Sequence, residues 1–427
     1  MLSKTRLIQK HITQLHAHSR GRLLVLTGAR QVGKSTLAQM AFPNMPILSF
    51  DDPQERVAYA RLTPTDWITH YPVAIIDEAQ KMPSIFHTLK ACYDRDPNVR
   101  YVLLGSSQIM MLKQVSETLA GRVALQELFP FCLPELVAAL GAPPRESLLM
   151  RLLKSEKPAD LLTKEITPHY VLQIPYAQAK KHWDTLLHWG GMPSIYQNDF
   201  TDNDRAEWLR DYQTTYLQRD LADLARLDRL EPFIRAQRAA ASRTAQTINF
   251  AELARLSDVT PPTAHQFMRY LELSYQVMML PAWFRNAEKR LTKQPKLHFL
   301  DNGVRRAILN QRGDVDGHAF ESAVVSEIVK QSKTARLPLE FSHLRTADKR
   351  EVDLLIERED GFIAIECKQT EHVVASDFKH MRELKELLDK PLLLACVISN
   401  DNNLVCISPS GPTNPAFWKL SAPALLA

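Results

Sequence analysis

The sequence predicts an α/β protein whose N-terminal part is a parallel sheet and whose later parts are helical and mixed modules. Apolar runs of strand length alternate with helical segments from Arg22 onward, which is typical of a parallel sheet covered on both faces. A glycine-rich segment lies between the first of these strands and a helical pattern. A length of 427 residues accommodates about three domains.

Composition and charge are those of an ordinary globular protein. Hydrophobic residues make up 45% of the chain and charged residues 24%, and the net charge of +5 permits contact with nucleic acid without demonstrating it. The five cysteines are scattered without a Cys-x-x-Cys pair, so we expect free thiols in a reducing compartment rather than a zinc site. No signal-type segment or apolar run of membrane-spanning length occurs, so we expect a cytoplasmic protein without a membrane partner.

The glycine-rich segment has the pattern of a loop that binds a nucleoside triphosphate. It follows the apolar strand 23–27 and leads into a helical pattern, and it comprises Gly28, Ala29, Arg30, Gln31, Val32, Gly33, Lys34, Ser35 and Thr36. Its glycines let backbone N–H groups point at phosphates, and the helix N-terminus adds partial positive charge. We therefore predict ATP as the ligand, with Lys34 on the β- and γ-phosphates and the Ser35 hydroxyl on Mg²⁺.

The third predicted strand, 73–76, runs directly into Asp77 and Glu78. Ligands of such sheets bind at the carboxyl ends of the strands. We expect Asp77 to hold the Mg²⁺ through water and Glu78 to orient the attacking water, as in a Walker B element. The alternative is that the two acids merely begin a helix.

Two further positions resemble the ATPases of the AAA+ class. Ser106 or Ser107, after the fourth strand, stands where that class places a sensor of the γ-phosphate, although either hydroxyl could instead cap the next helix. Arg122 stands where oligomeric AAA+ enzymes supply an arginine to the ATP of a neighbouring subunit. A surface arginine at a helix end is the alternative. The resemblance thus implies an AAA+ core over residues 1–140 and a homo-oligomer.

Residues 141–310 change in character after Pro143-Pro144. We predict a helical lid or linker over 141–240 and a winged helix-turn-helix over 241–310, with helices capped by Asn249 and Thr260. The connection between the two wing strands is basic, which suits phosphate neutralisation. The predicted DNA contacts are Arg285, Lys289, Arg290, Lys293 and Lys296. The alternative is a protein-binding module with an ordinary charged loop.

Residues 311–427 contain an upstream Glu321 on a helix and a hairpin that carries Asp353, Glu366 and Lys368. This pattern resembles the restriction-endonuclease-like core, in which carboxylates hold a divalent metal and a lysine helps to activate water. Val352, not proline, precedes Asp353, which departs from that pattern. A hairpin with charges on its solvent face is the alternative.

The whole set of motifs resembles the prokaryotic AAA-type ATPases that carry a C-terminal domain of unknown function 4143. The further segments that carry the resemblance are 51–53, 75–80, 119–122, 190–193 and 216–220. The resemblance implies an AAA+ core, a winged helix and a nuclease-like domain. The first functional hypothesis is an oligomeric ATPase that acts on DNA by translocation, branch migration or remodelling. The alternatives are an ATP-dependent, metal-requiring nuclease and a regulatory ATPase whose C-terminal half binds a protein.

Overall fold

The strands and helices were located in a computed structural model, which describes residues 4–105, 108–167, 169–225, 230–286, 288, 290, 293–346, 350–409 and 415–427. Of residues 108–110, 112–113 and 216–225 it describes the backbone alone. Three sheets follow one another along the chain.

The first sheet contains β1 (Leu23–Thr27), β2 (Ile47–Ser49), β3 (Val73–Asp77), β4 (Arg100–Leu104) and β5 (Val123–Glu127). All its pairings are parallel, and the strand order is β2-β3-β4-β1-β5. The parallel sheet predicted from the alternating apolar runs is therefore confirmed.

Helices cover both faces of this sheet. They are α1 (Gln9–Ala17), α2 (Lys34–Ala41), α3 (Pro53–Ala60), α4 (Pro64–His70), α5 (Ser84–Arg95) and α6 (Gln108–Thr118). The next helix, α7 (Leu133–Val137), packs instead in an apolar cluster with residues of the C-terminal part. Leu24 and Leu26 pack in one apolar cluster with residues of α1 and α2, whereas Leu23 and Val25 pack in another with residues of α4 and α5. Alternate side chains of β1 thus enter different cores, which explains why the strand is apolar throughout.

A helical segment follows, with α8 (Leu148–Lys154), α9 (Pro158–Glu165), α10 (Ile174–Trp189) and α11 (Asp202–Ala225). Gly190 ends α10 at φ +78°, a conformation that favours glycine. The next amide, of Gly191, donates to Oδ2 of the buried Asp301 at 2.7 Å. Within the described part of the chain, no helix is both long and apolar enough to cross a bilayer.

The third segment alternates helices and short strands: α12 (Glu231–Ser242), β6 (Gln246–Thr247), α13 (Phe250–Ser257), α14 (Pro261–Leu273), β7 (Val277–Leu280) and β8 (Lys296–Phe299). The strands form an antiparallel sheet with the order β6-β8-β7. The predicted caps are confirmed, since the Asn249 side chain accepts from two amides of α13 and Thr260 accepts from the amide of Thr263. The predicted pairing of β7 with β8 is also confirmed.

The C-terminal sheet is mixed and has six strands. Its elements are α15 (Asn302–Leu309), α16 (Gly317–Thr334), β9 (Glu340–Arg345), β10 (Glu351–Glu357), β11 (Phe362–Lys368), α17 (Lys379–Arg382), α18 (Leu384–Leu387), β12 (Leu392–Ser399), β13 (Val405–Ser408), β14 (Ala416–Ser421) and α19 (Ala422–Leu426). The strand order is β13-β14-β12-β11-β10-β9. Strands β10 and β11 form the predicted antiparallel hairpin, and β11 pairs in parallel with β12.

Helix α16 is almost wholly buried and contacts several segments. Ser322 and Ser326 donate to the carbonyl of Phe299 in β8 at 3.1 and 2.8 Å. Glu327 accepts from the amide of Leu133 at the start of α7 at 2.9 Å. This helix therefore packs against both the three-stranded sheet and the N-terminal part, and the predicted domain limits at 140, 240 and 310 stay predictions.

Candidate functional site

The loop between β1 and α2 adopts the tight backbone that its glycines permit. Gly28, Gln31 and Gly33 have φ values of +149°, +60° and +90°. A Cβ atom at Gly28 would lie 2.2 Å from the carbonyl oxygen of Leu128, so no larger residue fits there without displacement. Because α2 begins at Lys34, the loop amides and the positive end of the helix face the same space.

Lys34, Ser35 and Asp77 meet at the carboxyl ends of β1 and β3. The Lys34 ammonium donates to the carbonyls of Gly28 and Ala29 at 2.9 and 2.7 Å. The Ser35 hydroxyl donates to Oδ2 of Asp77 at 2.8 Å. A hydroxyl in contact with a carboxylate beside a phosphate loop is the donor set that a nucleotide-bound Mg²⁺ uses, so these residues fit that ion.

Glu78 follows β3 in a left-handed conformation, at φ +52°. Its amide donates to Oδ1 of Asp77 at 3.0 Å, and its carboxylate accepts a short hydrogen bond from the side chain of Gln80. Gln80 is buried and lies against Gly105, where a Cβ atom would be 2.6 Å from its Oε1. The carboxylate is thus held by its own loop. The predicted sensors Ser106 and Ser107 lie outside the described residues.

The loop lines a cavity of about 590 Å³ whose wall is also partly aromatic. Phe131, Tyr196 and Trp208 line this cavity, and the Tyr196 hydroxyl donates to the carbonyl of Gly190 at 2.7 Å. The sequence reasoning missed all three side chains, which come from segments far apart in the chain. The Gly-Gly-Met-Pro turn at 190–193, noted as part of the family resemblance, was the available signal.

Arg6 is a further residue whose role the sequence did not reveal. Its guanidinium donates to the carbonyls of Val32 and Phe129 at 2.8 and 2.6 Å and lies 3.1 Å from Glu135. It also lies over the ring of Phe131, 4.6 Å from the centroid. Arg6 therefore links the phosphate loop to the aromatic ring of Phe131.

Tyr275, which follows α14, connects the three-stranded segment to the first sheet. Its hydroxyl lies 2.9 Å from Oγ1 of Thr27 and donates to Oε1 of Glu127 at 3.0 Å. Thr27 immediately precedes the phosphate loop, so this buried contact joins the third segment to the nucleotide site.

Arg122 lies between α6 and β5, away from the other predicted ATP-site residues named above. Its guanidinium forms a bidentate ion pair with the Asp94 carboxylate, with nitrogen–oxygen distances of 2.8 and 3.1 Å. The side chain is 31% exposed. A role at the ATP of another subunit stays a prediction.

The predicted DNA contacts in the wing differ in their exposure and in their partners within the chain. Arg285 and Lys293 are exposed, and Lys289 lies outside the described residues. Arg290 donates to the carbonyl of Phe284 at 2.6 Å and lies 3.4 Å from Glu357. The prediction for Lys296 is wrong, because strand β8 directs this side chain inward and leaves it 2% exposed, out of reach of a phosphate.

The predicted nuclease-like residues do come together, around Lys296. Its ammonium lies 2.6 Å from Glu321, 2.8 Å from Asp353 and 3.2 Å from Glu351. On the adjacent strand, Lys368 donates to Glu366 at 2.8 Å. Glu366 and Lys368, two residues apart on β11, thus form an ion pair with each other. The carboxylates of Glu321 and Asp353 instead form ion pairs with Lys296, which belongs to another sheet.

Burial and neighbouring charge determine the ionisation of this cluster. Burial, reinforced by the Asp353 carboxylate and opposed by Lys368, raises the pKa of Glu366 to about 7. Burial also lowers the pKa of Lys296, but Asp353 and Glu321 outweigh it and hold that pKa above its usual value. Lys296 is therefore charged at neutral pH.

These residues do not fit a divalent metal. In the described ranges, no group of three or more His, Cys, Asp or Glu side chains has a geometry that could hold a metal ion. The position between Glu321 and Asp353 is taken by an ammonium of the chain itself, whose positive charge opposes a second cation. No chemistry through a metal at this place follows from the arrangement.

Three family models match successive parts of the chain. An AAA domain matches residues 20–137, a domain of unknown function (DUF8612) matches 180–314, and a domain of unknown function (DUF4143) matches 316–407. The predicted resemblance to AAA-type ATPases with a DUF4143 domain is confirmed. The DUF4143 match covers much of the C-terminal sheet, whereas the three-stranded sheet lies within the DUF8612 match.

Two relatives with curated records are uncharacterized proteins of Mycobacterium tuberculosis and Mycobacterium bovis. Each is 28% identical over 360 residues, which span 82% of this chain and 71% of the relative. Among solved structures, a Walker-type ATPase of Pyrococcus abyssi aligns with 70% of this chain and 95% of its own at 12% identity and a TM-score of 0.45. The ORC2 protein of Aeropyrum pernix aligns with 77% and 93% at 13% identity and a TM-score of 0.28. With TM-scores below 0.5, neither likeness carries information on mechanism.

Proposed function

We propose that this chain, parts of which match an AAA domain and a DUF4143 domain, is an oligomeric ATPase of the AAA type that hydrolyses ATP in the cavity beside β1 and acts on DNA through its third segment. The observation that carries ATP hydrolysis is the meeting of Lys34, Ser35 and Asp77 at one edge of the parallel sheet. Glu78 lies next to them.

Each residue of the cavity has a task in this proposal. The loop amides of 28–36 and Lys34 hold the phosphates, and Lys34 exchanges its two carbonyl partners for phosphate oxygens. Ser35 and Asp77 hold Mg²⁺, which neutralises charge on the β- and γ-phosphates when bound. Glu78 orients the attacking water once its carboxylate leaves Gln80.

The aromatic side chains of the cavity support a place for the adenine ring. Phe131 and Tyr196 meet edge to face with ring centroids 6.0 Å apart, and Trp208 stacks on Tyr212 at 5.3 Å. Aromatic rings together with cationic and hydroxyl groups in one cavity match the chemistry of the base and the phosphates of ATP.

Hydrolysis is tested with Glu78→Gln and Lys34→Ala in the full chain. Glu78→Gln should reduce turnover about 100-fold or more while ATP still binds. Lys34→Ala should weaken ATP binding itself. Turnover unchanged in Glu78→Gln would remove this residue from the mechanism.

The DNA part of the proposal rests on the order of elements and on exposed side chains. Helix α12, strand β6, helices α13 and α14, and strands β7 and β8 follow in the order of a winged helix. Helix α14 is the second helix of the helix-turn-helix pair, and it exposes His265, Gln266 and Arg269. In the wing, Arg285 and Lys293 are exposed as well, which supports contact with phosphates.

DNA binding is tested with the double variant Arg285→Ser/Lys293→Ser. We expect weaker binding of duplex DNA at low salt and a slope of log Kd against log salt that is smaller by about 2. The matched control is Lys157→Ser/Lys164→Ser, which removes the same charge from exposed positions around α9. Equal binding by the two double variants would refute the wing contact. Single-stranded, duplex and branched DNA are compared in the same assay for stimulation of ATP hydrolysis.

The oligomer part rests on Arg122. Serving a neighbouring ATP requires that its guanidinium leave Asp94. Arg122→Ala should therefore lower ATP turnover of the assembled protein, with mass in ATP measured by light scattering. Asp94→Ala is the matched control, because it breaks the same ion pair but keeps the arginine. Equal turnover in the wild type and Arg122→Ala would contradict the assignment.

If no form of DNA binds to the protein or stimulates its ATP hydrolysis, the regulatory ATPase with a protein partner takes the place of the DNA proposal.

A further inference from the structure

A lysine from one sheet is surrounded by carboxylates that belong to another part of the chain. The Lys296 ammonium lies 2.6, 2.8 and 3.2 Å from oxygens of Glu321, Asp353 and Glu351. An ammonium has three N–H donors, and three carboxylates stand within reach of them. The side chain is 2% exposed, so the carboxylates rather than water satisfy its charge.

The three partners reach this point from different elements. Glu321 lies in the first turns of α16, and Glu351 and Asp353 lie on one face of β10, two residues apart. The second oxygen of Asp353 accepts from the amide of Cys367 in β11 at 2.9 Å. Both oxygens of Asp353 therefore have donors within the chain.

The spacing is that of hydrogen bonds rather than of metal ligation. Mg²⁺ requires oxygen ligands at about 2.0–2.1 Å. The nitrogen–oxygen distances around Lys296 are longer, at 2.6–3.2 Å, as expected for charge-assisted hydrogen bonds to an ammonium that itself fills the space between the carboxylates. A buried ammonium at the centre also repels a second cation strongly, because the interior screens charge poorly.

We propose that Lys296 is a built-in cation that occupies the position of the metal, so that the C-terminal domain binds no divalent ion there and does not cleave nucleic acid at Asp353. Lys296 lies in β8 of the three-stranded sheet, so its ion pair with Asp353 also connects that sheet to the C-terminal sheet. This inference goes beyond the proposed ATPase and DNA-binding roles, since neither uses these carboxylates.

The first experiment counts Mn²⁺ bound to the full chain by electron paramagnetic resonance, without nucleotide. The background substitution Asp77→Asn removes the carboxylate of the nucleotide site. We expect no binding below about 1 mM that depends on Asp353, and no change when Asp353→Asn is added. Stoichiometric Mn²⁺ that disappears in Asp353→Asn would overturn the proposal, whatever the outcome of the ATPase and DNA assays.

The second experiment removes the ammonium with Lys296→Met, a side chain of similar length. The variant leaves three carboxylates without their cation, so it should melt at a lower temperature than the wild type. Mn²⁺ in about 100-fold excess over its Kd should then raise the melting temperature by about 3 °C, as the carboxylates close around the ion.

The matched control is Lys330→Met. Lys330 is equally buried but, among the residues that the structure describes, forms its ion pair with a single carboxylate, that of Glu327. Its loss should lower the melting temperature without producing a response to Mn²⁺. An equal Mn²⁺ response in both variants, or none in Lys296→Met, would refute the built-in cation. If Lys296→Met does not fold, the Mn²⁺ count on the Lys296-containing chain still decides.

Discussion

Replacing Gly191 with alanine should displace the backbone of Phe131, which lines the nucleotide cavity. Gly191 lies in the turn after α10, where its carbonyl accepts from the amide of Phe131 at 2.7 Å. A Cβ atom at this position would lie 2.4 Å from the carbonyl oxygen of Phe131 and 3.1 Å from its nitrogen. Both contacts are with backbone, which has little freedom to move aside.

The structure sets the size of the effect. Real Cβ contacts essentially never fall below 3.0 Å, so the Phe131 backbone must move by at least about 0.6 Å. Overpacking of this kind costs about 1–3 kcal/mol of unfolding free energy. The Phe131 ring lines the cavity and faces Arg6, which holds the phosphate loop, so a shift of Phe131 also changes the ATP site. We expect ATP affinity to fall about 10-fold, equivalent to about 1.4 kcal/mol.

Urea denaturation measures the first effect and binding of a fluorescent ATP analogue measures the second. The matched control is Gly313→Ala, because a Cβ atom there meets no other atom within 4 Å and glycine is not required by its backbone. If Gly191→Ala unfolds and binds nucleotide like Gly313→Ala, the turn does not support the cavity and the reasoning fails.

Three other substitutions test contacts described above. Tyr275→Phe removes the hydroxyl that contacts Thr27, so unfolding free energy should fall by about 1–2 kcal/mol and ATP affinity should weaken, as measured by denaturation and titration. Arg6→Met leaves the buried carboxylate of Glu135 without its cation, and denaturation should record a loss of about 3–5 kcal/mol. Burial raises the pKa of Glu366 to about 7. Between the ordinary pKa of a glutamate and pH 7, the folded protein therefore binds more protons than the unfolded protein, and the free energy of unfolding falls as the pH rises through that window. Glu366→Gln cannot ionise, so its stability relative to the wild type should be greater at pH 8 than at pH 5.

Each of these tests has a control or a contrary result. Tyr270→Phe changes a hydroxyl that contacts only an exposed glutamine in the described contacts, so it should alter stability less than Tyr275→Phe. Arg20→Met removes an exposed arginine and should be nearly neutral. A difference between Glu366→Gln and the wild type that does not vary from pH 5 to pH 8 would contradict the raised pKa.

The sequence predicts those parts of the fold that depend on neighbouring residues. The strand–loop–helix around Lys34, the capped helices after Asn249 and Thr260, and the hairpin with Asp353 and Glu366 are each encoded within a short segment. Local patterning and capping chemistry were sufficient there, because the interacting groups are close in sequence.

Contacts between distant segments could not be predicted in this way. Lys296 stands beside basic wing residues in the sequence, which suggested DNA, but its direction follows from the pairing of β8 and its position against α16. Tyr196 and Trp208 reach the nucleotide cavity only because the turn at 190–193 docks on Phe131. A single sequence contains no local signal for such long-range packing.

The position of Lys296 also bears on how this protein can be divided and inherited. A cut near residue 310 would leave the lysine on one fragment and its three carboxylates on the other. The C-terminal fragment would then carry three neighbouring acids that have lost their shared cation, and their mutual repulsion is unfavourable at neutral pH. Recombination that exchanged either module alone would meet the same penalty. The two regions that match separate families are therefore coupled through Lys296, in addition to the hydrogen bonds that Ser322 and Ser326 donate to Phe299.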